Sequence, residues 1–251
     1  MEKNEIKELL DEFVDRINVP EFVSNDPVQF PKRYDNLQDI EVAGLLTALI
    51  SWGKRSMILR NVDNMLSSMG SSPFGFIMES TLETNSIPYT LHRTFNSNDF
   101  IYLCKGLRHI YNRYSSLEQF FEGRDPFDGI SSLREQIILG NNEPGNRAEK
   151  HLSSPMKNSA CKRFHMYLRW MVRQDGIVDI GCWKKVSPAA LYIPLDTHVA
   201  NISRLLGMVD RKQNDRKTVE SLTSVLREFD PSDPIRYDFA LFGIGEAGLL
   251  K

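Results

Sequence analysis

Apolar residues recur along this chain at helical spacing almost from its first residue. Ile6, Leu9, Leu10, Phe13 and Ile17 fall on one side of the charged stretch 2–17, which predicts an amphipathic helix. Pro20, Pro27 and Pro31 keep the next stretch irregular. From Asp39 onward, Val42, Leu45, Leu46, Leu49 and Ile50 repeat with the same period. Ala43, Gly44 and Ala48 between them leave room for another helix to pack closely. A further helix starts at Ser56 and carries Ile58, Leu59, Val62, Met65 and Leu66. More are expected near 98–113, 116–121 and 130–138, with Gly-, Asn-, Pro- and Ser-rich loops over 123–131 and 140–158. The longest clean pattern covers 159–174, and 215–228 and 233–245 follow it. No strand pattern, repeat or low-complexity tract emerges. The predicted fold is all-α.

One stretch departs from simple core patterning. In Ile193-Pro194-Leu195-Asp196-Thr197-His198-Val199, Pro194 stops regular structure and Asp196 reads as the N-cap of a new helix. Val199, Ile202, Leu205 and Leu206 give that helix its apolar stripe, and Gly207 is its stop. A carboxylate and an imidazole, Asp196 and His198, therefore follow three apolar residues that belong in a core. Capping alone accounts for Asp196, at about 1 kcal/mol; chemistry is the competing reading.

Composition narrows the classes. At 251 residues the chain can bury a sizeable core, as one large domain or two small lobes. A net charge of −2 gives no global case for nucleic acid, so any such footprint must be local. Cys104, Cys161 and Cys182 lie far apart without Cys-x-x-Cys spacing, which suits a reducing cytoplasm and argues against a disulfide framework or zinc knuckle. No apolar run approaches membrane length, and Met1 leads straight into Glu2, Lys3 and Glu5. Neither membrane nor signal peptide is expected, and the location is expected to be cytoplasmic. His92, His109, His151 and His165 show no ligand spacing with each other or with carboxylates, so no metal is predicted.

Local motifs carry a resemblance. Leu195-Asp196-Thr197-His198-Val199, followed by Arg204-Leu205-Leu206-Gly207, resembles the aspartate segment of the helix-hairpin-helix DNA glycosylases. In that superfamily, which includes endonuclease III and the 8-oxoguanine glycosylases, this aspartate is catalytic. Leu45-Leu46-Thr47-Ala48-Leu49-Ile50-Ser51 and Arg60-Asn61-Val62 are similar to its early helix pair, with Trp52 and Gly53 standing where a DNA-facing glutamine is expected. A closer resemblance, to the bacterial domain-of-unknown-function family 2400, rests on Ser159-Ala160-Cys161-Lys162-Arg163, Leu168-Arg169-Trp170-Met171-Val172-Arg173 and Asp238-Phe239-Ala240-Leu241-Phe242-Gly243.

The superfamily resemblance implies one all-α domain of two lobes. Residues 1–40 and 190–251 would form a terminal lobe and 41–189 a middle lobe, with 40–66 and 159–206 lining a cleft. The glycine-rich hairpin of Leu-Pro-Gly-Val-Gly type is absent ahead of the 159–174 helix, so the hairpin is degenerate. Endonuclease III spacing would put the catalytic lysine near Val178. An archaeal 8-oxoguanine branch has a degenerate hairpin and a longer gap, and Lys162, 34 residues before Asp196, is similar to that branch. No cysteine follows Cys182, which excludes the C-terminal iron–sulfur cluster of some relatives; no cofactor is expected.

The implied activity is that of a DNA base-excision glycosylase with AP-lyase activity on a damaged, oxidised purine. Lys162 would attack the sugar C1′ to form a Schiff base, and Asp196 would assist base departure and stabilise positive charge on the sugar. At about 100° per residue, Lys162, His165, Arg169 and Arg173 share one stripe, and no acidic residue lies between Lys157 and Arg173. This stripe, with Lys54, Arg55 and Arg60, is the expected phosphate-facing surface, giving weak, salt-sensitive DNA binding by a monomer. A merely solvated face is the competing reading. Trp52, Trp170 and Trp183 are candidates to sandwich an everted base or to fill the core. His198 holds a phosphate or packs. Two other functions stay open: a glycosylase-fold nucleic-acid binder without catalysis, and a helical structural or partner-binding protein.

Overall fold

A computed structural model describes residues 2–84 and 87–248. Its helices are α1 (Lys3–Ile17), α2 (Pro20–Val23), α3 (Leu37–Ile50), α4 (Arg55–Ser67), α5 (Pro73–Glu79), α6 (Ser97–Tyr111), α7 (Pro126–Leu139), α8 (Lys162–Val172), α9 (Thr197–Leu205), α10 (Arg216–Phe229) and α11 (Tyr237–Ala247). Short 3-10 turns fall between them, including Leu117–Phe120 and Pro234–Arg236. The all-α expectation holds. Among the described residues the only sheet is a hairpin of β1 (Thr90–His92) and β2 (Phe95–Asn96), antiparallel, with Thr90 opposite Asn96 and His92 opposite Phe95. Strands this short carry no readable alternation, so the pattern did not predict them.

The elements gather into two compact units, Met1–Phe22 with Pro155–Lys251, and Val23–Ser154. These boundaries differ from the expected breaks after 40 and 189. Residues 155–189 group with the chain ends because α8 shares buried ion pairs with Asp233 and Asp238. Residues 40–66 accordingly belong to the second unit and 159–206 to the first.

In the second unit α3 is the axis. Every residue from Asp39 to Ile50 is buried, as expected of a helix that is apolar all round. The exceptions to apolarity are tied down. Glu41 accepts hydrogen bonds from Tyr111 Oη at 2.9 Å, Ser116 Oγ at 2.5 Å and the Leu117 N–H at 3.1 Å. Asp39 Oδ1 accepts from Ser72 Oγ and the Phe74 N–H, both at 2.8 Å. This second contact anchors α5, which the sequence reading left out because its seven residues begin in a Gly-Ser-Ser-Pro cluster. Without a tertiary acceptor at its start, so short a helix is marginal.

Two glycines set close helix approaches there. A Cβ on Gly129 would stand 2.3 Å from the Phe121 ring, so α7 continues through a residue that reads as a loop glycine. It starts at Pro126 behind the Asp125 cap, correcting the loop expected over 123–131. A Cβ on Gly106 would lie 2.6 Å from the Ile137 carbonyl oxygen, so the backbones of α6 and α7 approach closely at that point.

In the first unit α11 lies between α1 and α9. Gly243 sits against Ile17, where a Cβ would come within 2.5 Å of its side chain. The buried face of α8 holds Phe164, Tyr167, Leu168, Trp170, Met171 and Val172. The chain then folds back over the end of α8, as the Ile180 and Gly181 N–H groups donate to the Trp170 carbonyl at 2.9 and 3.1 Å. Gly181 takes φ +63°, and a Cβ there would meet the Arg173 carbonyl oxygen at 2.6 Å.

Gly106→Ala should force α6 and α7 apart and cost about 1–3 kcal/mol. A lower urea midpoint with unchanged helix content is the expected result; an unshifted midpoint contradicts the close approach.

Candidate functional site

Lys162 is the first residue of α8. The predicted start at 159 is displaced because Asn158 and Cys161 adopt left-handed backbone, φ 57° and 47°. Ser159 bridges to Asp215, and the Arg216 N–H donates to the Asn158 carbonyl at 3.1 Å. The start of α10 thus holds residues 158–161 out of the helix. Lys162 is half-buried, with Nζ 3.5 Å from Met166 Sδ.

Asp196 is placed from the other end of α10. Arg227 donates to the carbonyls of Ala189, Ala190 and Leu191 at 3.2, 3.3 and 3.1 Å. Thr223 Oγ1 accepts the Ile193 N–H at 3.1 Å. With Ile193, Pro194 and Leu195 buried, Asp196 emerges half-buried as the N-cap of α9, its Oδ1 accepting the Val199 N–H at 2.9 Å. The expected cap is present. His198 is exposed in the first turn of α9, and its Cβ is 3.4 Å from where a Gly245 Cβ would sit.

Arg169 and Arg173 do not form a phosphate-facing stripe. They are 5% and 3% exposed, and each guanidinium is enclosed by carboxylates. Arg169 bonds Asp238 and, through Nε at 3.2 Å, Asp179. Arg173 bonds Asp179, Asp233 at 2.9 Å and Asp175 at 3.1 Å. Phe239 closes one side, its ring centroid 4.4 Å from the Arg169 guanidinium carbon and 5.4 Å from that of Arg173. A bare cation cannot be buried, so the acids that follow α8 and open α11 neutralise this face. Their order in the chain was the available signal: Asp175 and Asp179 trail an acid-free helix, and Asp179 stands among Ile177, Val178 and Ile180.

The electrostatics of these groups follow from burial. Desolvation raises the Asp179 carboxyl above its usual range, although Arg169 and Arg173 oppose it. Burial works to lower Arg173, but the hydrogen bond it donates to Asp233 and the charges of Asp179, Asp233 and Asp175 outweigh it and raise it. His165 is driven down to about 3, first by burial and then by Arg216, and so contributes no cation to the stripe at neutral pH. Asp238 is pushed up to about 6. Burial is the largest cause; Arg169 opposes it, Asp196 adds to it and Lys162 opposes it. The two residues singled out for chemistry therefore share an electrostatic neighbour, Asp238, which the sequence reading used only as a family mark. An acid at the start of the apolar run Phe239-Ala240-Leu241-Phe242 was the clue.

Trp170 and Trp183 are wholly buried, so neither is a stacking platform in this structure; Trp183 meets Tyr167 edge-on at 5.4 Å. Trp52 is half-buried in the second unit. His92 meets it edge-on at 5.2 Å, and the Arg93 guanidinium lies 4.8 Å from its ring centroid. His92 is itself held by the Trp52 carbonyl at 2.8 Å and Asn61 Nδ2 at 3.0 Å. Lys54, Arg60 and Arg93 are exposed and Arg55 half-buried around this group. Arg93 was missed because it stands in the unpredicted hairpin. Among the described residues, no group of three or more His, Cys, Asp or Glu is placed to hold a metal ion, and no helix is long and apolar enough to cross a membrane.

Arg173→Ala should destabilise the protein by about 3–5 kcal/mol, since it strips a cation from three carboxylates. Lys54→Ala, on the surface, should stay within about 0.5 kcal/mol. Urea unfolding of both variants checks this, and equal shifts would refute the buried network.

No curated protein and no solved structure matches the chain. Its tertiary contacts, the paired arginines of 168–173 and the acid opening 238–243, lie within the stretch that does find a match. Residues 26–247 match the family described as a protein of unknown function, DUF2400, and the chain belongs to that family.

Proposed function

We propose that this protein is a DNA base-excision glycosylase with AP-lyase activity, acting on a damaged, oxidised purine through a lysine Schiff base. One observation carries the reading. Lys162 and Asp196, 34 residues apart in sequence, both act on the charge of Asp238. Lys162, Asp196 and Asp238 all stand in the first unit, at the beginnings of α8, α9 and α11. The resemblance of the Asp196 segment to the helix-hairpin-helix DNA glycosylases supplies the chemistry such a group serves.

In this mechanism the neutral Lys162 amine attacks C1′ of the sugar. The N–C1′ bond forms as the bond from C1′ to the base breaks, and the electron pair leaves with the base, which takes up a proton. The new amine loses a proton, the sugar ring opens at C1′–O4′, and the O4′ oxygen is protonated as the imine forms. Asp196 stabilises the positive charge that develops on the sugar during departure. Its cap bond fixes the carboxylate with one oxygen committed to the Val199 N–H. The DNA-facing cations of this reading are Lys162 in the first unit and Lys54, Arg55, Arg60 and Arg93 in the second, since Arg169 and Arg173 are spent on carboxylates. A non-catalytic helical protein is the second reading, favoured by the fact that Asp196 already has a structural task as a cap.

Borohydride trapping tests the proposal. The unmodified protein should form a covalent adduct with duplex carrying 8-oxoguanine or an abasic site. Lys162→Ala should abolish it on both. Asp196→Asn should keep DNA binding and the cap while slowing base release by about 100-fold or more. Absence of any adduct on every lesion would leave the non-catalytic reading standing.

A further inference from the structure

We infer that Arg93, seated on Trp52, is a stacking platform for an unpaired base of a single-stranded nucleic acid. This goes beyond the glycosylase reading. The site lies wholly in the second unit and stands whether or not Lys162 is a nucleophile.

Arg93 is built into place. It occupies the turn between β1 and β2 with φ 53°, a left-handed backbone that an L side chain rarely adopts. Strain of this kind persists only where the surroundings hold it. His92, before it, is fixed between the Trp52 carbonyl at 2.8 Å and Asn61 Nδ2 at 3.0 Å. Thr94, after it, accepts from Arg147 Nη2 through its carbonyl at 2.6 Å. The Arg93 guanidinium carbon then lies 4.8 Å from the Trp52 ring centroid. A Cβ on Gly53 would stand 2.8 Å from Arg93 Nη1, so this glycine, at φ +101°, leaves the seat open. Arg93 is exposed whereas Trp52 is half-buried. The plane offered to a ligand is therefore the guanidinium, backed by the indole.

The surface around it holds donors without acceptors. Among the described residues Lys54, Arg60 and Arg93 are exposed and meet no carboxylate. No acid occurs from Trp52 to Val62, and Asp63, which follows, is engaged by Arg33 at 2.6 Å. The Trp52 Nε1 is buried and has no acceptor. α4 opens without a side-chain cap and without an acid in its first turn, so Lys54 and Arg55 stand where the helix dipole disfavours cations. These charges do not serve the helix. A partner that brings negative charge and acceptors completes them, as a phosphodiester chain does. A run of carboxylates on an acidic peptide supplies the charge but no aromatic face to lay on a guanidinium, whereas a nucleobase supplies both faces it needs. A base inside a duplex already stacks on its neighbours. The partner is therefore a single strand.

Fluorescence anisotropy with labelled oligothymidine, and with an oligomer of abasic sites of the same length, tests this. The two carry equal charge, but only the first has bases. The unmodified protein should bind oligothymidine about tenfold tighter than the abasic oligomer, the effect of stacking one base. It should prefer the single strand to its duplex with oligoadenosine by a similar factor. Arg93→Lys keeps the charge and removes the plane, so it should bring the ratio between the two oligomers to about one. Its urea midpoint should stay in place, because Arg93 is on the surface. Changing Lys54 and Arg60 together to alanine should weaken both complexes and flatten the log–log salt dependence by about 1.4, roughly 0.7 per lost phosphate contact. Arg93→Lys with an intact preference for bases overturns the platform. Equal binding of the two oligomers by the unmodified protein, or equal competition by polyglutamate, makes the patch a general polyanion surface and overturns it too. Duplex binding as tight as single-strand binding does the same. Each of these failures leaves borohydride trapping through Lys162 to be decided on its own. Conversely, a preference for bases in a protein that forms no borohydride adduct sinks the glycosylase reading and supports the platform.

Discussion

Two buried guanidiniums govern the first unit. Arg169 on α8 and Arg173 just past its end are buried there, and a cation taken out of water costs several kcal/mol unless it is paired and hydrogen-bonded. The chain meets that demand with Asp175 and Asp179 from the segment behind α8, Asp233 from before α11, and Asp238 from within it. Such a network adds little net stability over apolar packing, but it is intolerant of misplacement. It fixes the segment 173–181 and the first turn of α11 relative to α8. Glycine at 181 is part of the same constraint, because the returning chain passes too close to the Arg173 carbonyl for a side chain.

The proposed site inherits its geometry from that network. Asp238 is both the last acid of the ion-pair chain and the neighbour of Lys162 and Asp196. The arginines that the helical stripe assigns to DNA instead pair with carboxylates, Arg169 with Asp179 and Asp238 and Arg173 with Asp175, Asp179 and Asp233. α10 does the same for the other two groups, through Arg216 and Asp215 on the Lys162 side and through Thr223 and Arg227 on the Asp196 side. The proposed reactive groups, Lys162 and Asp196, thus sit at helix beginnings, where short polar segments are held by α10.

The second unit solves a similar problem with neutral donors. Glu41 lies wholly buried in the most apolar helix of the unit, yet a tyrosine hydroxyl, a serine hydroxyl and a backbone N–H occupy its oxygens. Asp99 serves the α6 capping box and accepts from His151 at 3.2 Å, and it takes a cation as well, Arg147 Nη1 lying 2.6 Å from its Oδ1. These buried acids pin loops to helices, so the irregular stretches around α3 and α6 have definite positions. Trp52 and its basic neighbours stand on this framework, with His92 locked between Trp52 and Asn61.

Local physics was sufficient for much of this. The apolar period of 3.6 residues located α1, α3, α4, α6, α10 and α11, and the Asp196 cap and the Gly207 stop were legible because capping is a matter of a few neighbouring residues. Lys162 and Asp196 became candidates through the resemblance of the Asp196 segment to the helix-hairpin-helix DNA glycosylases. What it could not express was which charges face inward. Lys162, Arg169 and Arg173 share a helical stripe in sequence, but only the arrival of Asp179, Asp233 and Asp238 from other elements turns two of them into buried, neutralised groups. The same is true of α5, whose start depends on Asp39, and of α7, whose internal glycine is explained by the Phe121 ring. Hydrophobic period is a property of one segment, whereas the desolvation cost of a charge is settled by partners from elsewhere in the chain. That cost, and with it which acids pair with the buried arginines, was decided by the tertiary structure.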